Sequence, residues 1–148
     1  MKSMPTTSVG VDANLAVRAV IPFGHGKELE QLTQWKRTNT QIFTPDLWCA
    51  EVTSAIRVMS SRKLVTIDES QAAIFDLFAL GIQLVPSDAD LCISAFQWAV
   101  RLGQIRAYDG FYLALAEKIG VELWTADERL VNRSHQVDAH WVRWIGEA

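Results

Sequence analysis

The chain has 148 residues, of which 49% are hydrophobic and 21% charged, so it can bury roughly two-thirds of its unfolded surface in one core without a disulfide or structural metal. This composition excludes a wholly disordered chain, and neither an apolar run of about 18 residues nor a basic, apolar leader points to membrane spanning or export, so a cytoplasmic protein is expected. A formal charge of −3 lacks the basic surplus usual in nucleic-acid binders, an inference that reverses if bound cations neutralise several carboxylates.

Residues 1–7 read as a loose tail ahead of a single domain. Ser8-Val9-Gly10-Val11 then reads as a strand ending on Asp12, with Asn14 placed to cap the apolar run that follows. Pro22, Gly24 and Gly26 interrupt that run. Lys27 to Lys36 carries Leu29, Leu32 and Trp35 at three-residue spacing, which predicts a helix with one apolar stripe. Gln41 to Thr44 is a second strand, and Thr44-Pro45-Asp46 is expected to open a helix to about Ser60, with a capping hydroxyl and proline in the first turn.

Asp68 opens the next helix, with Ala72, Phe75, Phe78 and Ala79 on its expected buried face and Gly81 as its stop. A third strand, Ile82 to Val85, leads to Ser87 and Asp90, which form a variant capping box before Leu91, Ala95, Phe96, Ala99 and Leu102. Gly103 closes that helix. A helix from Asp109 to Gly120, a strand over Val121–Thr125, a turn or short helix around Glu128–Asn132 and a strand near His140–Val142 complete the chain. Strands alternating with helices predict an α/β fold: a doubly wound, mostly parallel sheet with helices on both faces.

In such sheets ligands bind at the carboxyl ends of the strands, where Asp12 and Asp127 fall. Each acid has an ordinary alternative: Asp12 as a turn residue capping the next helix, Asp127 within a Thr125–Glu128 capping box, and Asp109 as a first-turn acid favoured by the helix dipole. Glu51 resists that treatment. Helical spacing sets it on or beside the face shared by Leu47, Ala50, Ser54, Ala55 and Val58, where an unpaired carboxylate needs a basic partner, a proton or a metal. Arg57 is a candidate partner at poor spacing. If the four acids converge, their mutual repulsion makes sense chiefly around divalent cations, and oxygen ligands favour Mg²⁺ or Mn²⁺ over zinc.

Val11-Asp12-Ala13-Asn14, Pro45 through Glu51-Val52, Tyr108-Asp109 and Thr125-Ala126-Asp127 resemble, in order and spacing, the acidic motifs of the PIN-domain family, and the short form resembles the VapC-type toxin ribonucleases. The resemblance implies an α/β/α fold and metal-dependent cleavage of RNA, with Asp12, Glu51, Asp109 and Asp127 as the acidic set around one or two Mg²⁺ or Mn²⁺ ions. Asn14 and Thr125 match positions that often hold polar groups near the metals. It also implies a cognate antitoxin and a homodimer, with Trp35 and Trp48 as candidate anchors for the antitoxin. Two departures bear on the pocket's shape: Gly110 stands where a small Ala is expected, and Trp124 is bulky for its strand position.

Arg57, Arg62, Lys63, Arg101 and Arg106 are candidates for phosphate contacts. Cys49 and Cys92 lack metal-ligand spacing and read as reduced core residues, the six Trp read mostly as core, and no role in catalysis is expected of His25, His135 or His140. Competing readings are a phosphoesterase acting on DNA or a small ester and a degenerate or housekeeping PIN module that binds RNA or protein. A dinucleotide-binding domain is disfavoured, because no GxGxxG or Walker-type loop follows the first strand.

Overall fold

The computed structural model describes residues 7–24 and 26–147; the expected tail, apart from Thr7, and His25 lie outside them. In chain order the elements are β1 (Ser8–Val11), α1 (Ala13–Val20), α2 (Lys27–Arg37), β2 (Gln41–Pro45), α3 (Trp48–Ser61), α4 (Ile67–Ala79), β3 (Gln83–Val85), α5 (Ala89–Leu102), α6 (Tyr108–Ile119), β4 (Glu122–Thr125), α7 (Glu128–Gln136) and β5 (Val142–Trp144), followed by a 3-10 turn, Ile145–Glu147. The five strands form one sheet in the order β3-β2-β1-β4-β5, parallel throughout. No helix among the described residues is long and apolar enough to cross a membrane.

The central strand β1 is short and buried because both of its faces are covered. On one face Val9, Val11 and Ile42 meet Leu15 and Ala19 of α1 and Leu32 and Trp35 of α2. On the other, Gly10 leaves room for Ala116 of α6, which stands 3.6 Å from where a Cβ on Gly10 would lie. Helices α5 and α6 are closed by Gly103 and Gly120, both in the left-handed conformation at φ 69° and 79°, as their positions after the apolar runs imply.

Several expected faces and caps are displaced, each for a local reason. Asn14 is exposed within the first turn of α1, because Asp12 itself caps that helix. In α2 the buried stripe is Glu28, Leu32 and Trp35, and Leu29 is exposed. Thr44 and Pro45 are still in strand β2: the Thr44 hydroxyl is buried and donates to the Val11 carbonyl at 3.1 Å, so it cannot cap α3, which starts at Trp48 without a side-chain cap.

The expected apolar face of α4 is its exposed one. Ala72, Phe75, Phe78 and Ala79 face outward, while Ser70, Ala73 and Leu77 pack inward. The packing of α4 against α3 decides this, and Phe78 reaches back only edge-on, 5.6 Å from Trp48. Phe96 of α5 is likewise exposed, with Trp98 buried in its place. Trp35 and Trp48 are both buried, which rules them out as exposed anchors. Cys92 is exposed and Cys49 half-buried; both are free thiols.

The α4 helix is capped by Thr66, whose hydroxyl accepts from Glu69 N while the Glu69 carboxylate accepts from Thr66 N at 2.8 Å. Thr66→Ala is expected to cost about 1 kcal/mol of stability, read as a lower urea midpoint at unchanged slope. At α5 the cap is Asp88, accepting from Leu91 N at 2.8 Å, whereas Ser87 donates to Asp46.

Candidate active site

The order of the sheet sets the location of the site. Beyond β1 the chain builds β2 and β3 on one side and returns as β4 on the other, so the switch point lies between β1 and β4. Connections diverge there and open a crevice at the carboxyl ends of the strands. Asp12 follows β1 directly, Thr125 ends β4, and Asp127 caps α7 two residues later.

Asp12 is buried and both of its oxygens are engaged. Oδ1 accepts from Leu15 N at 3.0 Å, and Oδ2 accepts the Thr125 hydroxyl. The same Thr125 oxygen accepts from Asp127 N at 3.0 Å, so one buried threonine ties the ends of β1 and β4 together. Burial pushes the Asp12 carboxyl up to about 7; the bonds from Thr125 and Leu15 oppose the rise, and the charges of Asp109 and Asp127 add to it.

Asp109 sits in the first turn of α6, and its Oδ2 accepts from Gln104 Nε2 at 2.8 Å. Burial raises its pKa, Gln104 lowers it, Asp127 raises it and Arg133 of α7 lowers it. Glu51 lies in the first turn of α3, half-buried beside the inward stripe Trp48, Val52 and Ile56. Its partner is Tyr112, whose hydroxyl donates to Oε1 at 2.5 Å. Arg57 instead donates to Ser60 at 3.0 Å. The Glu51 pKa is raised by burial, lowered by Tyr112 and raised by Asp109. Burial, and then the Glu51 charge, drive the Tyr112 phenol far upward, so it stays a donor at neutral pH.

The charges of Asp109 and Asp127 therefore act on Asp12, and that of Asp127 on Asp109, while Glu51 joins the group through Asp109 and the Tyr112 hydroxyl. Among the described residues, no three His, Cys, Asp or Glu side chains stand close enough to hold a cation between them. The donor set nevertheless suits Mg²⁺, which keeps several waters and takes one or two carboxylates at a time. Glu51 Oε2, Asp109 Oδ1 and Asp127 Oδ2 accept no hydrogen bond from the described residues, and no Lys or Arg pairs directly with the four acids there.

Asp127 caps α7 through Oδ1, accepting from Arg129 N at 3.0 Å, so the expected box between Thr125 and Glu128 does not form. Gln104, Tyr112 and Arg133 are the site groups that sequence reasoning missed. Tyr112 carried a usable signal: three residues after Asp109, it shares that helix face. Gln104, in the turn after Gly103, carried none. His135 contacts the Val142 carbonyl at 2.8 Å and His140 lies 3.8 Å from Asp138, both apart from the acids. Arg101 stacks on Trp98 and donates to Val137 O.

The two departures have structural explanations. A Cβ on Gly110 would stand 2.2 Å from the Ala95 carbonyl oxygen, so this glycine sets how closely α6 packs on α5 and does not widen a pocket. Trp124 packs edge-on to Trp35 at 5.8 Å, with the Arg143 guanidinium over its ring.

Tyr112→Phe is expected to leave Glu51 without its donor, raise the Glu51 pKa further and move the acid limb of the pH–rate profile upward, with a severalfold loss of kcat at neutral pH. An unmoved limb would show that Tyr112 only fills space.

A doubly wound parallel sheet with carboxylates around its switch point defines an α/β protein with an acidic centre at the carboxyl ends of its strands. The chain belongs to the PIN-domain family, whose sequence model matches residues 9–135 and so spans all four acids. It is 30% identical over 124 residues to Ribonuclease VapC3 of Pyrobaculum aerophilum, covering 83% of this chain and 92% of that protein. Among solved structures it resembles VapBC2 of Rickettsia felis bound to a DNA fragment from their promoter (TM-score 0.66, 13% identity, 93% of this chain and 98% of that one). It also resembles PAE2754 of Pyrobaculum aerophilum (TM-score 0.64, 19% identity, 97% and 94% of the two chains).

Proposed function

We propose that this chain is a metal-dependent endoribonuclease that hydrolyses RNA phosphodiester bonds, and that it is the toxin of a type II toxin–antitoxin pair acting in the cytoplasm. The observation that carries this reading is the acidic group at the switch point of a PIN-family sheet: one Thr125 hydroxyl donates to Asp12 and accepts from Asp127 N, and Tyr112, which shares α6 with Asp109, donates to Glu51. Similarity to a ribonuclease along nearly its whole length supports RNA as the substrate, and the likeness to VapBC2 supports an antitoxin partner. Ile93, Phe96 and Val100 form an exposed apolar row on α5, which supports a homodimer.

In this reading the chain acts as one domain, and Asp12, Asp109 and Asp127 hold one or two Mg²⁺ or Mn²⁺ ions, with Glu51 as a further ligand or as the group that orients water. When bound, such a cation supplies Lewis-acid polarisation of the phosphate and a lowered pKa for a coordinated water. The chain's own residues do the rest. Leu15 N–H and Thr125 fix the Asp12 carboxylate, and Gln104 fixes that of Asp109. Tyr112 occupies Glu51 Oε1 and leaves Oε2 to accept a proton from the attacking water. Arg133, the cation that acts on Asp109, offers positive charge to the phosphate.

The test is to incubate labelled structured RNA and matched DNA with the protein in Mg²⁺, Mn²⁺ or EDTA. RNA should be cut only with a cation present and DNA left intact. Cleavage that persists in EDTA, or that prefers DNA, contradicts the proposal.

A further inference from the structure

The turn between α5 and α6 is fastened to the acidic centre. The Gln104 side chain donates to Asp109 at 2.8 Å, and Gln104 N donates to the Ala99 carbonyl at 2.9 Å, so the turn is held at both its acid and its preceding helix. Its remaining large side chains nevertheless stand in water. Ile105 is 102% exposed, with no part of the chain covering it, and Tyr108, the first residue of α6, is 53% exposed. Tyr108 and Asp109 are consecutive, with Cα atoms about 3.8 Å apart. Arg106, between Ile105 and Tyr108, is exposed and pairs with no carboxylate among the described residues. The same holds for Arg129 and Arg133 of α7, the helix that Asp127 caps, and the Arg133 charge acts on Asp109. An open aromatic ring next to an acid of the site, among unpaired arginines, is the pattern of a groove for single-stranded nucleic acid.

We propose that Tyr108 is the platform on which an unpaired base flanking the scissile phosphate stacks, with Arg106 holding a neighbouring phosphate, so that the protein takes single-stranded or looped RNA and not duplex; this rests on the ribonuclease reading above. A base lies flat on a side-chain ring only after it has left its own helix, and a duplex keeps its bases paired and stacked. Stacking tolerates any base, because each presents a π-face. Arg106, Arg129 and Arg133 supply positive charge for phosphates, contacts that position the strand without reading it. Ile105 adds apolar surface to the same turn. A protein partner fits this surface less well, because the centre of a protein interface is depleted of charge, whereas apolar and polar side chains alternate along Gln104-Ile105-Arg106-Ala107-Tyr108-Asp109.

The test is a titration in Ca²⁺, an oxygen-ligated cation that stands in for Mg²⁺ at the acids, with gels to check that the strands stay intact. The probes are single-stranded oligoribonucleotides carrying 2-aminopurine at one position each, alone and annealed to their complement. The single strand should bind about tenfold or more tighter than the duplex, and the fluorescence of one labelled position should change on binding. Tyr108→Ala should abolish that change and weaken single-strand binding on the order of tenfold, while Tyr108→Phe keeps both. Arg106→Ala should weaken single strand and duplex alike and reduce the salt slope by about 1. A fluorescence change that survives Tyr108→Ala, a Tyr108→Phe loss equal to that of Tyr108→Ala, equal affinity for single strand and duplex, or binding of neither would overturn it. So would sedimentation showing that Tyr108→Ala loses a dimer at unchanged RNA affinity, which would assign the turn to protein contact. Melting curves separate loss of recognition from loss of fold. Should Tyr108→Ala fail to fold, Ile105→Ser, at a fully exposed position, provides a second variant: it should weaken the single strand severalfold and leave the duplex unchanged. If the wild type cuts no RNA in Mg²⁺ or Mn²⁺, the ribonuclease reading fails, while the titration still decides the platform.

Discussion

Asp12→Asn is expected to lower RNA cleavage on the order of 10³-fold, equivalent to about 4 kcal/mol of transition-state stabilisation, while making the metal-free protein more stable at pH 8. The two effects share one cause. Burial holds the Asp12 carboxyl at about 7 against 3.8 for the free group, so the folded protein binds this proton more tightly than the unfolded chain. The contribution of Asp12 to stability is then fullest below about pH 4, falls as pH rises toward 7 and stays lost above it. The gap between those two values corresponds to a few kcal/mol, on the order of 4. Asparagine removes the charge and keeps the shape, accepting from Leu15 N as the carboxylate does. In EDTA at pH 8 the variant should melt on the order of 10 °C higher than the wild type, with the gap closing toward pH 4. Excess Mg²⁺ should raise the melting point of the wild type alone.

The second large effect is expected at Gly110. Restoring the alanine anticipated by the family pattern, Gly110→Ala, should destabilise the protein by about 1–3 kcal/mol, near the upper end, because the added methyl meets a carbonyl of α5 and not a side chain that can turn aside. Helix α6 also carries Asp109 and Tyr112, and a shift of about 1 Å in catalytic groups can cost about 10²-fold in rate. Chemical denaturation with single-turnover kinetics would show both losses. Unchanged stability would mean that α5 and α6 have more room between them than their backbones display.

The sequence-level expectations succeeded where one local rule acts without competition. Gly103 and Gly120 close their helices because a left-handed residue is needed just past an apolar run. The alternation of strands and helices held for all five strands, although the last begins at Val142, later than expected. Expectations failed where two rules compete for one residue. Thr44 could cap a helix or end a strand, and burial against Val11 decides for the strand. In α4 two apolar faces compete, and only the position of α3 reveals that Leu77 faces inward and Phe75 outward.

The acids divide in the same way. Asp12 and Asp127 were legible as strand-end carboxylates, and each proves to cap a helix while standing in the acidic group. Helix capping is therefore no argument against a second role. Glu51 was conspicuous because its helix offered only Arg57, at poor spacing, and Arg57 bonds to Ser60 instead. The partner of Glu51, Tyr112, lies 61 residues away in sequence, and no local pattern could supply it. Gln104 bonds to Asp109 from a turn and the Arg133 charge acts on it from a neighbouring helix, and only the assembled fold brings them there.

The most direct test of the acidic centre is a calorimetric titration of Mn²⁺ into the wild type, Asp12→Asn, Asp109→Asn, Asp127→Asn and the exposed α2 control Glu30→Gln at pH 8 and pH 6. The wild type and the control should bind alike, more weakly at pH 6 because Asp12 takes up its proton, and each of the three site variants should lose at least tenfold in affinity. Equal Mn²⁺ affinity across all five proteins, unchanged between the two pH values, would contradict the assignment of these carboxylates to a cation site.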